Sequence, residues 1–145
     1  MDVQELATDE EIEAAFPLMR QLRDRVRKET FLAEVRRQQT QGYRLLAGFE
    51  GGRLVALAGI RPGHTLARGP HIFVDDLVTD ETVQGAGHGR SLLRRIGQLA
   101  RAEGFPRVYL DSRATAKGFY EALGFAFHTS IPCWIETEAL CAEPT

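Results

Sequence analysis

The stretch IFVDDLVTDETVQGAGHGRSLLRRIGQLARAEG, residues 72–104, decides the fold. Its first eight residues are β-branched and apolar apart from two adjacent acids, which predicts a buried strand. Its second half places leucine, isoleucine and alanine at helical intervals, and Gly104 is a typical helix stop. Three alternate glycines, Gly85, Gly87 and Gly89, separate these two parts. The stretch therefore predicts a strand, a glycine-rich loop and an amphipathic helix in succession.

The glycine-rich loop has the arrangement that binds phosphate. Backbone N–H groups at the start of a helix point outward without partners, and the helix dipole adds partial positive charge there. Glycines let an anion approach the backbone closely. A flexible connection without a ligand is the weaker alternative, because ordering a glycine-rich loop costs conformational entropy. The predicted phosphate loop consists of Gln84, Gly85, Ala86, Gly87, His88, Gly89, Arg90 and Ser91.

Two other phosphate-binding motifs fit this loop poorly. A Walker loop needs Gly-Lys followed by Ser or Thr, and the loop contains no lysine. A dinucleotide fingerprint that starts at Gly85 would place Arg90 where a third glycine is required for close packing. Residues 80–84 also make the connection longer than the tight turn of that fold, although Asp111 at a strand end could serve a ribose. A nucleotide-binding domain is therefore the weakest candidate.

The segments on either side of this stretch predict a mixed α/β sheet with helices on its faces. Neighbouring strands favour antiparallel hairpins, whereas the strand–helix–strand unit around 72–111 favours a parallel pair. Thr8 and Glu11 have capping-box spacing, Pro17 predicts a kink or an early stop, and residues 61–70 predict a loop because they hold two prolines. The predicted strands are 3–6, 43–49, 54–60, 72–79, 107–111, 125–129 and 133–137, and the predicted helices end near 22, 39, 103 and 123.

Length and charge exclude several classes of protein. The chain has 145 residues, which is the size of one domain, and a net charge of −2. A nucleic-acid module would show a strong basic excess, so we expect no nucleic-acid partner. No apolar run approaches the ~18 residues that span a membrane, and the acidic start is not a secretory signal. Cys133 and Cys141 match no metal or redox spacing, so we expect reduced thiols in a cytoplasmic protein.

Two motifs make the chain resemble the GNAT superfamily of N-acetyltransferases, in particular its small bacterial members. The segment DDLVTDETVQGAGHGRSLLRRI resembles motif A, Gln/Arg-x-x-Gly-x-Gly/Ala, which Gln84, Gly87 and Gly89 fill. The segment KGFYEALGF, residues 117–125, is similar to the FYExLGF segment of the superfamily. The resemblance implies one GNAT-like domain over 1–145, with a mostly antiparallel sheet, a central splayed parallel pair and helices on both faces.

The resemblance also implies a cosubstrate and a reaction. A GNAT enzyme binds acetyl-CoA and passes the acetyl group directly to a primary amine, with no metal. The pyrophosphate would lie on residues 84–91, and the pantetheine arm would pair with the backbone of Val78 and Thr79. The acetyl group would lie where strand 72–79 splays away from strand 107–111.

Tyr120 and Asp76 are the implied catalytic residues. Tyr120 matches the frequent general acid of the superfamily, which protonates the leaving sulfur, and it would also contact the cofactor. An amine with a pKa near 10 must lose a proton before it attacks, and Asp76 is the candidate base, with Asp75 or a water as alternatives. Because successive strand residues face opposite sides, we expect only one of the two acids to point toward the acceptor.

The acceptor and the partners stay open at this level. We expect the acceptor, a small molecule or a protein amine, to be selected by the two N-terminal helices, their connection at 22–30 and the loop 130–134. A catalytically silent acyl-CoA sensor is the alternative function, and a homodimer is one open oligomeric state. His64, His71 and His128 have no partner spacing, so we interpret them as structural or surface residues.

Overall fold

A five-stranded mixed sheet is the framework of this computed structural model, which describes residues 1–143. The strands are β1 (Asp2–Glu5), β2 (Arg44–Glu50), β3 (Arg53–Thr65), β4 (Gly69–Thr79) and β5 (Val108–Leu110). They lie side by side in chain order, antiparallel from β1 to β4 and parallel between β4 and β5. The mixed, mostly antiparallel sheet is therefore confirmed, but its parallel pair lies at one edge of the five strands rather than in the centre.

The part of the chain that the structure describes forms six α-helices, and local sequence signals explain where the first ones begin. They are α1 (Asp9–Ala14), α2 (Phe16–Leu22), α3 (Lys28–Gln39), α4 (His88–Ala102), α5 (Lys117–Ala122) and α6 (Thr137–Cys141). The predicted capping box is present: Glu11 N donates to Thr8 Oγ1 (3.2 Å) and Thr8 N donates to Glu11 Oε1 (2.9 Å). The predicted interruption is present too, because the helix breaks at Ala15 and Pro17 lies in the first turn of α2.

Helices cover both faces of the sheet. Side chains of α1, α2 and α3 form one core cluster with alternate residues of β2 and β3, among them Leu45, Ala47 and Leu57. Leu46 and Ala58 point to the opposite face, since strand side chains alternate. On that side α4 contacts β3 and β4 with fully buried side chains such as Leu92 and Ile96. Each large apolar side chain buried in this way contributes about 1.5–3 kcal/mol.

A β-bulge in β4 has consequences for the site described below. Asp76 pairs with Gly59 and Val74 pairs with Ile60, so Asp75 is an extra residue without its own partner on β3. The parallel ladder between β4 and β5 ends at Val74 and Leu110. Beyond this point β4 runs on to Thr79 with no residue of β5 paired to it, and the splay expected at this position stays a prediction.

The predicted loop over 61–70 is wrong. β3 continues to Thr65 and β4 begins at Gly69, so the two prolines of this segment lie inside strands. Proline is tolerated where a strand has an unpaired edge. β2 pairs with β3 only as far as Ile60, which leaves Pro62 at such an edge, and β5 pairs with β4 only from Ile72, which does the same for Pro70.

The two predicted strands after residue 124 are also wrong. Residues 125–136 are irregular, and α6 begins at Thr137. Strand propensity alone does not hold a strand that has no partner, and neither segment pairs within the part of the chain that the structure describes. Ile131 and Trp134 are accordingly about 85% exposed.

The described residues group into two units, Met1–Asp111 and a second that begins at Ser112. The first unit holds the five-stranded sheet with α1 to α4, and the second holds α5 and α6. The single domain over 1–145 stays a prediction. Within residues 1–143 there is no helix whose length and apolar character would let it cross a membrane.

Candidate active site

The glycine-rich loop follows β4, and hydrogen bonds fix the residues at its start. Asp80 accepts hydrogen bonds from Thr82 N (3.0 Å) and from the guanidinium of Arg53 (2.8 Å), and Arg53 also donates to Thr82 Oγ1 (2.6 Å). The hydrogen bond from the Thr82 backbone, aided by Arg53, holds the pKa of Asp80 below its usual value. A short 3₁₀ turn over Glu81–Val83 leads from this anchor to the glycines.

Two of the three glycines are needed for backbone conformation. Gly85 and Gly87 have φ of +89° and +84°, in the left-handed region that strains other residues. An added Cβ would meet nothing within 4 Å at either position, so steric crowding by the protein is not the reason for glycine there. Gly89 differs, because it lies in the first turn of α4.

The N-terminus of α4 presents open backbone donors at this loop. Gly87 is the N-cap, α4 begins at His88, and the first hydrogen bond of the helix is Ser91 N to Gly87 O (3.0 Å). The N–H groups of His88, Gly89 and Arg90 therefore have no acceptor within the helix, and no side chain caps them in the described chain. The loop is surface-exposed from Gln84 to Gly87. The arrangement can receive an anion such as a pyrophosphate.

The backbone of the last residues of β4 is open on one side. Asp80 N donates to Val55 O (2.8 Å), so Asp80 and, by strand alternation, Val78 point their backbone groups toward β3. The backbone groups of Leu77 and Thr79 point to the opposite side, where β5 no longer pairs with β4. The side chain of Gln84 donates to Thr79 O (3.4 Å), which agrees with this direction. An extended ligand would thus pair with Leu77 and Thr79, whereas Val78 is occupied by the sheet.

Both acids of β4 line one cavity, contrary to the expectation that only one would point toward the acceptor. Strict alternation would send them to opposite faces, but the bulge at Asp75 breaks the alternation exactly between them. Asp76 is 14% exposed in its side chain and Asp75 is 30% exposed. The extra carbonyl of the bulge, Asp75 O, accepts from the Arg23 guanidinium at 2.7 Å.

Three side chains hold the two carboxylates in place. Asp76 accepts from Arg23 Nε through Oδ1 (2.9 Å) and from the Tyr43 hydroxyl through Oδ2 (2.8 Å). Asp75 accepts from Arg61 Nε through Oδ2 (2.7 Å), and the described residues supply no partner to its other oxygen. Both oxygens of Asp76 thus accept a hydrogen bond from the protein, whereas Oδ1 of Asp75 accepts none from the described residues.

Tyr43 is the buried member of this network. Burial, followed by the negative charge of Asp76, raises the pKa of Tyr43 far above its usual value, so its hydroxyl stays a donor at any working pH. Gly59 makes room for it, because a Cβ at Gly59 would overlap the Tyr43 hydroxyl. Tyr43, Arg23 and Arg61 could not be predicted as site residues, because they lie far apart in the sequence and belong to no motif.

The cavity has a volume of about 800 Å³, which suits a metabolite-sized ligand. Its floor is formed by Tyr43 and by the strand residues Arg61, Asp75 and Asp76. Its walls are formed by the end of α2, the connection 23–27 and α3. The connection at 22–30 contributes to the lining of this cavity, and its predicted role in selecting the acceptor stays a prediction. The loop 130–134 belongs to the second unit, and its predicted role stays a prediction.

Tyr120 lies in α5, within the second unit. It is 9% exposed and packs edge-to-face against Phe119 and Phe125, with ring centroids 5.1 and 5.3 Å away. Burial raises the pKa of Tyr120 above its usual value, which keeps the hydroxyl protonated at neutral pH. Among the described residues this hydroxyl has no hydrogen-bond partner. Its role as an acid toward a leaving sulfur stays a prediction.

The predicted structural role fits His71. Its ring is 2% exposed, its Nδ1 lies 2.8 Å from Gly69 O, and it packs against Tyr109 with centroids 5.2 Å apart. A Cβ at Gly63 would collide with this ring, so that glycine accommodates it. His71 therefore stabilises the outer end of the hairpin between β3 and β4.

Comparison with known proteins gives consistent matches over most of the chain. The model of the acetyltransferase (GNAT) family matches residues 5–125. An uncharacterized N-acetyltransferase of Bacillus subtilis (strain 168), YhdJ, is 31% identical over 132 residues, which cover 88% of this chain and 93% of that protein. A glucosamine 6-phosphate N-acetyltransferase of Trypanosoma brucei brucei is 34% identical over 79 residues, 53% of this chain and 54% of that protein.

Solved structures show the same fold. The aminoglycoside N-acetyltransferase AAC(6')-Iy in complex with CoA superposes with a TM-score of 0.81 at 15% identity, over 94% of both chains. A Trypanosoma brucei acetyltransferase has a TM-score of 0.76 at 23% identity, over 93% of this chain and 99% of that one. At these identities the likeness concerns the fold alone.

Proposed function

The chain belongs to the GNAT family of acetyltransferases, and from this premise we propose that it transfers the acetyl group of acetyl-CoA directly to a primary amine. One observation carries the proposal for this chain's own residues. The open N-terminus of α4, with Gly85 and Gly87 at positive φ, follows the unpaired edge of β4 after the connection 80–87. A cosubstrate that carries both phosphate and amide groups would use both features. The helix start would bind the phosphate, and the strand edge would pair with the amides.

We propose the following cofactor contacts. The pyrophosphate accepts from backbone N–H groups within residues 84–91, chiefly those at the start of α4. The pantetheine amides pair with Leu77 and Thr79, whose backbone groups point away from β3. His88, Arg90 and Ser91 contribute through their backbone or lie at the rim of the site. Acetyl-CoA supplies the activated acetyl group when it is bound.

The reaction forms one bond and breaks one bond. The neutral amine nitrogen attacks the acetyl carbonyl carbon, the carbon–sulfur bond breaks, and the amide product leaves with free coenzyme A. One proton must leave the amine nitrogen, and the coenzyme A thiolate must gain one. In our proposal Tyr120 donates the proton to the sulfur, consistent with its raised pKa.

The contacts favour Asp75 over Asp76 as the proton acceptor. Both oxygens of Asp76 already accept hydrogen bonds, so it is suited to positioning Tyr43 and Arg23. Asp75 has an open oxygen at the cavity and can take the proton directly or through a water. The sequence pointed to Asp76 as the base. We propose Asp75 instead, with Asp76 holding Arg23 and Tyr43 in position.

A ligand panel tests the cosubstrate. Thermal unfolding is measured with acetyl-CoA, NAD and ATP, each at the same concentration. A ligand at 100 times its Kd stabilises the folded state by about 2.7 kcal/mol, which raises Tm by several degrees. We expect this shift with acetyl-CoA. Stabilisation by NAD or ATP but not by acetyl-CoA would contradict the proposal and favour a nucleotide-binding domain.

Release of coenzyme A separates an enzyme from a sensor. Amines of different size and charge are incubated with acetyl-CoA, and free thiol is measured against a control without protein. Glucosamine 6-phosphate, for which the trypanosome relative is named, is one acceptor in the panel. Amine-dependent thiol release is the expected result. Binding of acetyl-CoA without release for any amine would favour the sensor.

We also propose a reducing compartment, the cytoplasm. Cys133 and Cys141 are both exposed and unpaired in the part of the chain that the structure describes. Exposed thiols of this kind are typical of proteins that stay in a reducing environment. Measurement of the thiol content of protein purified without reductant tests this, with two free thiols per chain as the expected value.

A further inference from the structure

The lining of the acceptor cavity contains more positive than negative charge. Four arginines and three acids contribute to it. Two arginines are already neutralised at the floor, where Arg23 pairs with Asp76 and Arg61 pairs with Asp75. The charges that remain for a ligand are therefore those of Arg25, Arg27 and Glu34.

Arg25 and Arg27 are available to a ligand. Both lie in the connection between α2 and α3 and are exposed at the rim of the cavity. Within residues 1–143 Arg25 has no ion-pair partner. Arg27 approaches Glu29 only to 3.9 Å, and both of these side chains are largely exposed, so this pair is weak. Neither guanidinium is committed to holding the fold together.

The position of these arginines is defined by their neighbour Arg23. Its guanidinium binds Asp76 and the bulge carbonyl of Asp75, and so fixes the start of the connection to the cavity floor. Chain geometry then keeps the Cα of Arg25 within about 7 Å of the Cα of Arg23. A ligand that reaches from the rim to the floor can therefore meet a guanidinium at one end and the acids of β4 at the other.

This charge distribution does not suit a simple cationic amine. Such an acceptor arrives protonated, because its pKa is near 10. It would meet two unneutralised guanidiniums against one free carboxylate, that of Glu34. An acceptor that also carries an anion would instead be attracted to the rim, since guanidinium groups bind carboxylate and phosphate through charge-assisted hydrogen bonds.

We propose that the acceptor is a small molecule with a carboxylate or phosphate group besides its primary amine, and that Arg25 and Arg27 bind this anion. The inference rests on the proposed acetyl transfer and deepens it. The anion is held at the rim, and the amine is directed to the open oxygen of Asp75 at the floor. The cavity of about 800 Å³ has room for both groups and a linking skeleton.

The test uses pairs of amines that differ in the anion. O-Phosphoethanolamine is compared with ethanolamine, and β-alanine with β-alaninamide. For each amine, kcat/KM is obtained from coenzyme A release, and Kd is measured by calorimetry with coenzyme A present. The proteins are the unmodified chain, the double variant Arg25→Gln/Arg27→Gln, the conservative Arg25→Lys/Arg27→Lys, and Arg37→Gln. Arg37 is an exposed arginine of α3 outside the cavity lining.

We expect the anionic member of at least one pair to have a kcat/KM at least tenfold higher than its neutral partner. The Gln double variant should abolish this preference, with a loss of roughly tenfold to a hundredfold for the anionic amine and less than twofold for the neutral one. The Lys variant should recover part of it, and Arg37→Gln should change nothing. Preference within only one pair identifies the anion as phosphate or as carboxylate.

Three results would overturn the inference. Equal kcat/KM within both pairs refutes it while acetyl transfer itself stands, and so does a preference that the Gln double variant retains. If no amine releases coenzyme A, the binding measurement decides. Anionic amines that bind more weakly to the Gln variant support the anion site and assign the failure to the transfer step. Equal binding of both proteins refutes the site.

Discussion

The loop that we propose to bind acetyl-CoA and the cavity that we propose to bind the acceptor are built by different means. The loop, residues 80–91, uses backbone N–H groups, positive φ at two glycines and the start of a helix, all within a dozen consecutive residues. The cavity uses side chains from 23, 43, 61 and 75–76, which only the folded sheet brings together. In our proposal the cosubstrate is therefore bound mainly by backbone groups, and the acceptor by side chains.

The largest effect should come from a residue outside both regions. Tyr120→Phe removes only the hydroxyl that we propose as the acid, and we expect kcat to fall by about 100-fold or more. The Kd for acetyl-CoA and the KM for the amine should stay within about twofold. The matched control is Glu121→Gln, which changes an exposed side chain on the same helix. A parallel loss of acetyl-CoA affinity in Tyr120→Phe would argue for a packing role instead.

Asp75→Asn tests which of the two acids in the cavity is the base. It removes the open oxygen's basicity but keeps a group of the same shape, so we expect kcat to fall by about 100-fold. Asp76→Asn should act mainly on stability, because Arg23 loses its counter-charge there. Steady-state kinetics and urea unfolding of both variants distinguish the roles. A greater loss of kcat for Asp76→Asn would return the base to Asp76.

Gly87→Val would break the loop and spare the cavity. A β-branched residue at a φ of +84° is strained by about 1–2 kcal/mol, and relief of that strain displaces the N–H groups of α4. We expect the Kd for acetyl-CoA to rise about tenfold or more by calorimetry. Gly97→Ala in the middle of α4 is the control, because its added Cβ meets nothing and helix propensity improves. Unchanged affinity in Gly87→Val would contradict a backbone site.

Tyr43→Phe should affect the acceptor region alone. It removes one hydrogen bond to Asp76 from a buried position, worth about 1–3 kcal/mol because the acceptor is charged. We expect lower stability and a several-fold lower kcat/KM for the amine, with acetyl-CoA affinity unchanged. Chemical denaturation and kinetics measure the two effects. An equal loss of acetyl-CoA affinity would mean that the two regions are not independent.

The smallest effect should appear in the pH dependence of the loop. The pKa of Asp80 is lowered in the folded state, so its carboxylate stabilises the fold above the unfolded pKa near 3.8. This contribution is lost as pH falls through the lower folded pKa. Thermal unfolding from pH 7 to pH 3 should therefore show an acid loss that Asp80→Asn reduces. Identical profiles for both proteins would show that the anchor does not stabilise the loop.

The two regions also differ in how far the sequence predicted them. The strand, loop and helix of 72–104 follow from local periodicity and glycine spacing, and the capping box of Thr8 and Glu11 from a four-residue pattern. The network around Tyr43 could not be predicted, because its members are joined only by tertiary packing. The alternation rule failed at Asp75 and Asp76 because a bulge depends on the register between two strands, which one strand's sequence does not encode.

Errors in the predicted strands have a similar cause. Prolines at 62 and 70 suggested a loop, but both occupy strand edges that a neighbouring strand does not reach. The segments 125–129 and 133–137 have suitable composition without a pairing partner among the described strands. In each case the deciding information was the identity and length of the neighbouring strand.

The bulge at Asp75 gives β4 one residue that its pairing with β3 does not need. Deleting Asp75 would join Val74 directly to Asp76, which would stay paired with Gly59, so that a regular ladder replaces the bulge. Val78 would still pack against the core, and Thr79 would still lie opposite Ala56. An in-frame deletion of codon 75 should therefore keep the fold and the approach to the glycine loop, and remove one acid together with the carbonyl that binds Arg23.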